Sequence, residues 1–242
     1  MTIKMIARVV LAVIFYLIVA ADTSVSAAAS EYRLEVSSVM ELTIQGEAIA
    51  TQAQCVSYLT RHNPLPELTV TPKELVKLYY EEGQREGLRP DVAFAQALHE
   101  TGFFRYGGDV VPFQNNYCGL GTTGGGVKGA WFTSARIGVR AQIQHLLAYT
   151  TTRAPRSKIV DPRYELVKYS DRFGKAKLWT DLNGKWAVPG TQYGQRILRL
   201  FTDILSEKRV EKPRYRYADE VDVWHDADKK REVHSYGDDK NK

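Results

Sequence analysis

The chain has 242 residues, of which 44% are apolar, and a formal charge of +5 at pH 7. That is enough for one domain with a real core plus appendages, and the charge excess is too small to argue for nucleic acid as a partner. The two cysteines, Cys55 and Cys118, and the five scattered histidines make no metal-ligand spacing, so neither a metal nor a cofactor is expected.

Residues 1–29 read as an export signal. Lys4 and Arg8 form a charged start, Val9 to Ala20 an apolar run, and Ser26-Ala27-Ala28-Ala29 a small-residue stretch suited to cleavage. The run is short for a spanning helix, so a membrane is expected as a partner only if this segment stays uncleaved. The segment holds two cations and one anion (Lys4, Arg8, Asp22), so its removal lowers the charge from +5 to +4. A small positive excess suits an anionic polymer such as a cell wall. Export also implies an oxidising compartment, where Cys55 and Cys118 either pair or stay as buried thiols. Residues 30–48 alternate loosely, with Tyr32, Leu34, Val36, Leu42 and Ile44 apolar, which predicts an extended arm or short strands.

A helix is expected over Ala48 to Arg61. Thr71-Pro72-Lys73-Glu74 is a capping box with proline at the first helical position. The helix that follows turns Leu75, Val76, Leu78 and Tyr79 inward and Glu81, Glu82, Gln84 and Arg85 outward, and Gly87 ends it. The next helix starts at Pro90-Asp91 and is nearly apolar all round through Val92, Phe94, Ala95, Ala97 and Leu98. Such a helix is wrapped by other elements. Gly102 is its stop, which leaves Glu100 in the last turn at the negative end of the helix dipole. Apolar surroundings and the dipole both penalise an ionised carboxylate there. A carboxyl that keeps its proton near neutral pH is what general-acid catalysis requires.

Tyr106 to Gly129 is a long connection rich in turn residues, including Gly107-Gly108-Asp109, Asn115-Asn116 and Gly124-Gly125-Gly126. A connection of this length inside a domain is usually functional. Its apolar residues Tyr117 and Leu120, with Trp131-Phe132 after them, predict a small β-hairpin around the glycines. Thr133 or Ser134 caps a helix with Ile137, Ala141, Ile143, Leu146 and Leu147 on its buried side and Arg140, Gln142 and Gln144 on its polar side. Arg153 to Asp171 is irregular. The last helix runs from about Tyr193 to Ser206. Residues 207–242 hold ten basic and ten acidic residues and few aliphatics, the composition of a disordered tail.

Several motifs recur in order. They are the helix ending Glu100-Thr101-Gly102, then Asn115-Asn116-Tyr117-Cys118-Gly119-Leu120-Gly121, Phe132, and the helix Gly138 to Tyr149. Asp161-Pro162-Arg163, Gly184-Lys185-Trp186-Ala187 and Tyr193-Gly194 follow. Together they resemble the glucosaminidase domains of glycoside hydrolase family 73, bacterial endo-β-N-acetylglucosaminidases that cut peptidoglycan. The resemblance spans about Ile49 to Leu205. It implies an α+β fold: a mainly helical, lysozyme-like domain over 49–206 with a small β-hairpin lobe and a sugar cleft between them. It also puts the catalytic acid at Glu100, the residue reached from the helix itself. Asn116 and Gly119 correspond to the loop that lines the cleft, and Tyr193 to an active-site tyrosine near the last helix. Tyr117, Trp131, Phe132 and Trp186 are candidates for stacking on sugar faces.

One departure matters. Many members carry a second acid in the β-lobe, yet Gly119 to Phe132 contains none. Asp109, on the loop leaving the catalytic helix, is the first candidate for that role. The expected activity is cleavage of peptidoglycan glycan strands by an exported, monomeric, wall-associated bacterial enzyme. A lytic transglycosylase or a muramidase is the nearest rival, and a wall-binding module without activity is the rival from another class.

Overall fold

The computed structural model describes residues 39–208. They form α1 (Gln52–His62), α2 (Pro72–Glu86), α3 (Pro90–Thr101), α4 (Ala135–Thr150), α5 (Tyr164–Lys168) and α6 (Tyr193–Ser206), with short 3-10 turns at Pro112–Gln114 and Trp179–Leu182. The export signal, residues 30–38 of the arm and the tail from 209 onward lie outside the described residues.

The caps explain the helix starts. Thr51 accepts a hydrogen bond from Gln54 N–H, while the Gln54 side chain takes the Thr51 N–H in return. Thr71 Oγ1 accepts from Glu74 N–H, and Pro72 follows it. Ser134 does the same for α4 through Ile137 N–H. Each satisfies a backbone donor that the first helical turn leaves without a partner.

α3 is the central element. Pro90 to Leu98 are all buried, as is Thr101, and α1, α2 and α6 pack around the helix. Its first turn is tied down by Asp91. That carboxylate is fully buried and accepts from Ile49 N–H (2.6 Å), Ala50 N–H (2.9 Å) and its neighbour Val92 N–H (2.9 Å). Asp91 therefore joins the entry of α1 to the start of α3, beyond adding charge at a helix end. Tyr79, Phe94, Phe104 and Tyr117 pack edge to face or tilted beneath it.

α2 and α4 are stapled by ion pairs. Glu82 is buried and takes hydrogen bonds from Arg140 Nε (2.9 Å) and Arg136 Nη1 (3.1 Å). Burial pushes its carboxyl up, but the two guanidinium groups outweigh that and hold it below the ordinary 4.5. Glu82 thus faces inward, against the outward position expected from periodicity. α4 is likewise buried on more than one side: Gln142 and Gln144 are fully enclosed. Gln144 straps the following chain to the helix, accepting from Val160 N–H (2.8 Å) and Asp161 N–H (3.2 Å) and donating to Lys158 O (2.9 Å).

The expected β-hairpin does not form. Among the described residues there are only isolated bridges, Thr43 with Leu178, Gln45 with Leu88 and Asn183 with Ala187, and the class is mainly helical. Side chains take the backbone groups that a ladder needs. Asn116 Oδ1 accepts from Leu120 N–H (2.9 Å) and its Nδ2 donates to Leu120 O (3.0 Å), while Gln114 Nε2 donates to Lys128 O (2.5 Å) and Ala130 O (3.2 Å). Left-handed glycines interrupt the rest. The described part of the arm is part of the domain. Ile44 is fully buried, and its N–H and C=O pair with Lys177 O (2.9 Å) and Arg89 N (3.0 Å).

Candidate active site

Glu100 sits in the last turn of α3, partly exposed, with its carboxyl at the polar edges of two aromatic side chains. Trp186 Nε1–H donates to Glu100 Oε1 (3.0 Å), and the Tyr193 hydroxyl donates to the same oxygen. The two rings are stacked, with centroids 6.3 Å apart and planes 15° from parallel. Burial pushes the Glu100 carboxyl above the ordinary 4.5, and the two hydrogen bonds pull it back only in part. Both donors fall on Oε1, so Oε2 is left to carry a proton. The arrangement suits a carboxylic acid that gives up a proton on one oxygen while the other is held in place.

Tyr193 is held from behind by a directional chain of buried polar groups. The Tyr79 hydroxyl donates to Gln142 Oε1 (2.6 Å), and Gln142 Nε2 to Gln96 Oε1 (2.8 Å). Gln96 Nε2 in turn donates to the Tyr193 oxygen (2.8 Å). Each amide receives at its oxygen and donates from its nitrogen, so the last hydroxyl points its hydrogen at Glu100. Gln96 and Gln142 were not singled out from the sequence. A glutamine inside an otherwise apolar helix was the available signal, because a buried amide must find partners.

The position of Tyr193 depends on its neighbour. A Cβ on Gly194 would lie 2.3 Å from Trp179 O and 2.7 Å from Thr180 Cα. Only glycine lets the start of α6 meet the Trp179–Leu182 turn this closely. Asn183 Oδ1 accepts the Gly194 N–H (2.8 Å) and fixes the junction.

Behind Trp186 lies a second pair missed in the sequence. His145 Nδ1 donates to Asp161 Oδ2 (2.8 Å), and the imidazole meets the indole edge to face at 4.9 Å. His145 and Tyr149 on α4, together with Tyr193, thus pack around the indole.

The other sequence candidates divide. Asp109, Gly119 and Glu100 line one cavity of about 210 Å³, together with Tyr106 and Thr122. Asp109 Oδ1 also accepts the Gly126 N–H (2.9 Å), so it ties the glycine-rich loop to the segment that leaves α3. The chain reaches this position through left-handed residues Phe103, Phe104 and Tyr106. Such backbone is strained outside glycine and is stabilised here by buried Phe104, whose N–H is taken by Thr101 Oγ1 (2.9 Å).

Asn116, Tyr117 and Phe132 are not cleft-facing. Asn116 is fully buried, with both ends of its amide spent on the loop. Tyr117 is 1% exposed and donates to Asn115 Oδ1 (3.1 Å). Phe132 packs with Cys118, Leu120 and Ala141. None of the three offers a free face to a sugar, so the expectation of substrate contact is corrected to loop support and core packing. Trp131 is 61% exposed and stays outside the core. Cys55 and Cys118 are both free and buried, and burial pushes the Cys55 thiol up to about 12.

A helical domain built around a half-buried acid on its central helix accords with a glycosidase fold. Residues 76–205 match the glucosaminidase family, described as mannosyl-glycoprotein endo-beta-N-acetylglucosaminidase, and the chain belongs to that family. It is also similar to an uncharacterized protein of Borreliella burgdorferi, with 36% identity over 138 residues, 57% of this chain and 65% of the relative. The chain therefore spans somewhat less than two thirds of that relative's length. No solved structure matches it.

Proposed function

We propose that the protein is an exported peptidoglycan hydrolase that cuts the glycan strand as an endo-β-N-acetylglucosaminidase, with Glu100 as general acid. It acts as a monomer outside the cytoplasm, on the bond that follows N-acetylglucosamine. The observation that carries this reading is the pair of donors on Glu100 Oε1, from Trp186 and Tyr193, on a carboxyl whose hold on its proton burial strengthens. Glu100 protonates the glycosidic oxygen, and the bond breaks through an oxocarbenium-like state.

For the second half of the reaction the loop over 119–132 offers no acid. The substrate's own N-acetyl oxygen attacks the anomeric carbon, and Glu100, now ionised, takes a proton from the water that opens the resulting ring. Trp186 forms one wall for the sugar. Asp109 acts as the distant base in the competing two-carboxylate route, in which the carboxyl groups stand roughly 6.5–9.5 Å apart.

The test is product analysis of purified wall after borohydride reduction. Reduced N-acetylglucosamine ends are expected. Reduced muramic acid ends would make the protein a muramidase, anhydro-muramic ends a lytic transglycosylase, and no cleavage at any pH a binding module. Glu100→Gln should lower the rate by about a hundredfold or more with the fold intact, because an amide fills the site without a labile proton.

A further inference from the structure

The trough does not end at Glu100. The cavity over Glu100 shares Gly119 and Thr122 with a smaller one of about 120 Å³. That one shares His145, Arg163 and Trp186 with a third of about 350 Å³, which lies between α5 and the 185–188 turn. Trp186 therefore touches both: its Nε1–H donates to Glu100, and its side chain lines this last cavity.

We propose that this third cavity is a subsite for the carboxylate-bearing peptide stem on the muramic acid residue beside the cleaved bond. This rests on the glycan-strand reading above and names what the enzyme recognises besides sugar. Arg163, Arg172 and Lys185 all line the cavity. Among the described residues none of the three forms an ion pair: Arg172 Nη1 donates only to Lys185 O (2.9 Å), and Arg163 and Lys185 make no side-chain hydrogen bond. Asp171 lines the same cavity but stands in no ion pair with any of them. Arg136 and Arg140 on Glu82 and Arg153 on Glu86 are, by contrast, paired with buried carboxylates. Two guanidinium groups and an ammonium against the single carboxylate of Asp171 leave this concavity with a net positive lining; that suits an anion, and guanidinium matches carboxylate geometry in particular.

The rest of the lining selects among anions. Leu166 is 62% exposed and Val188 76% exposed, both on this cavity. A short acidic peptide carries methyl groups as well as carboxylates and covers such residues. A phosphate polymer does not. The muramic lactyl carboxylate exposed when the peptide is removed offers charge without that apolar surface. The size is that of a small-molecule site.

The experiment compares kcat/KM of the full chain on three soluble strands: stem-bearing, stem-bearing with amidated stem carboxylates, and amidase-stripped. The stem-bearing strand should be preferred by about tenfold over each of the others, the effect of one or two charge-assisted hydrogen bonds partly screened by solvent. The preference should shrink with added salt. In the double variant Arg163→Gln/Arg172→Gln, the ratio should fall to about one. A second measurement is titration of Glu100→Gln with free stem peptide, which should bind and be displaced by salt. Equal rates on all three strands would overturn the subsite and leave the glucosaminidase reading standing. Cleavage of none of the strands by the wild type would overturn that reading itself. A glycerol-phosphate polymer that displaces the stem peptide at lower concentration would also overturn the proposal and assign the cavity to phosphate. If the double variant does not fold, the wild-type ratios and the titration decide alone.

Discussion

At Glu100 the opposing effects are both visible. Burial raises its carboxyl, and the Tyr193 and Trp186 hydrogen bonds lower it by less. As the proposed general acid, Glu100 is needed in its protonated form, so the rate should fall as pH rises through this raised value. Tyr193→Phe removes one of the two donors and leaves Gln96 Nε2–H without its acceptor. The rate should drop by about tenfold, and the alkaline limb should move to higher pH, because the ionised form has lost support. An unchanged pH–rate profile would show that Tyr193 is packing alone. The same shift has a stability side. Between the unfolded value near 4.5 and the raised folded value, the native state holds the proton more tightly. Stability is therefore complete below about 4.5 and declines as pH rises through the folded value. Glu100→Gln should raise Tm relative to wild type more at pH 8 than at pH 4, as calorimetry would show. For Asp109→Asn the expected loss is under about tenfold, because an amide oxygen still accepts the Gly126 N–H. A loss equal to that of Glu100→Gln in a folded protein would establish the two-carboxylate route.

At the scale of elements, the site is a junction of helix ends. α3 delivers Glu100 and α6 delivers Tyr193, while the chain between α5 and α6 delivers Trp186 onto α4. α6 meets the Trp179–Leu182 turn at Gly194, and there the geometry is unforgiving. In Gly194→Ala the added methyl would meet backbone atoms of Trp179 and Thr180, so α6 must move. The expected cost is about 2 kcal/mol, a fall in Tm of roughly 4–8 °C for a domain of this size, measured by thermal denaturation. Activity should fall further than stability explains, because Tyr193 is the next residue.

At the scale of the whole molecule, the described domain closes on itself at Glu207. Its carbonyl accepts from Gln54 Nε2 (3.0 Å), and its carboxylate from Ser57 Oγ (2.9 Å) and from Arg61. The tail beyond is apolar-poor and charge-balanced. Truncation after Lys208 should leave Tm within about 2 °C and the rate on soluble strands unchanged. Truncation after Ser206 removes the Glu207 contacts and should cost about 1 kcal/mol, roughly 2–4 °C. Equal Tm for both truncations would show that the domain ends before Glu207.

Much of this site is local enough to be written in the sequence. Helix starts, the end of α3 at Gly102 and the place of Glu100 follow from periodicity and caps, which act over a few residues. The family motifs added Tyr193. Glu82 was expected outward because periodicity does not see Arg136 and Arg140 on a distant helix; the hairpin and the cleft-facing Asn116, Tyr117 and Phe132 were misjudged for another reason. Turn glycines and aromatic residues have the same composition whether they form a ladder or a loop folded on its own asparagine. What only the tertiary structure decided are pairings between distant residues: Gln96 with Tyr193, His145 with Asp161, and Trp186 with Glu100, which are 86 positions apart. A one-dimensional pattern shows that a buried glutamine or histidine needs a partner. It does not show which one, because that choice is made by the packing of α3, α4 and α6.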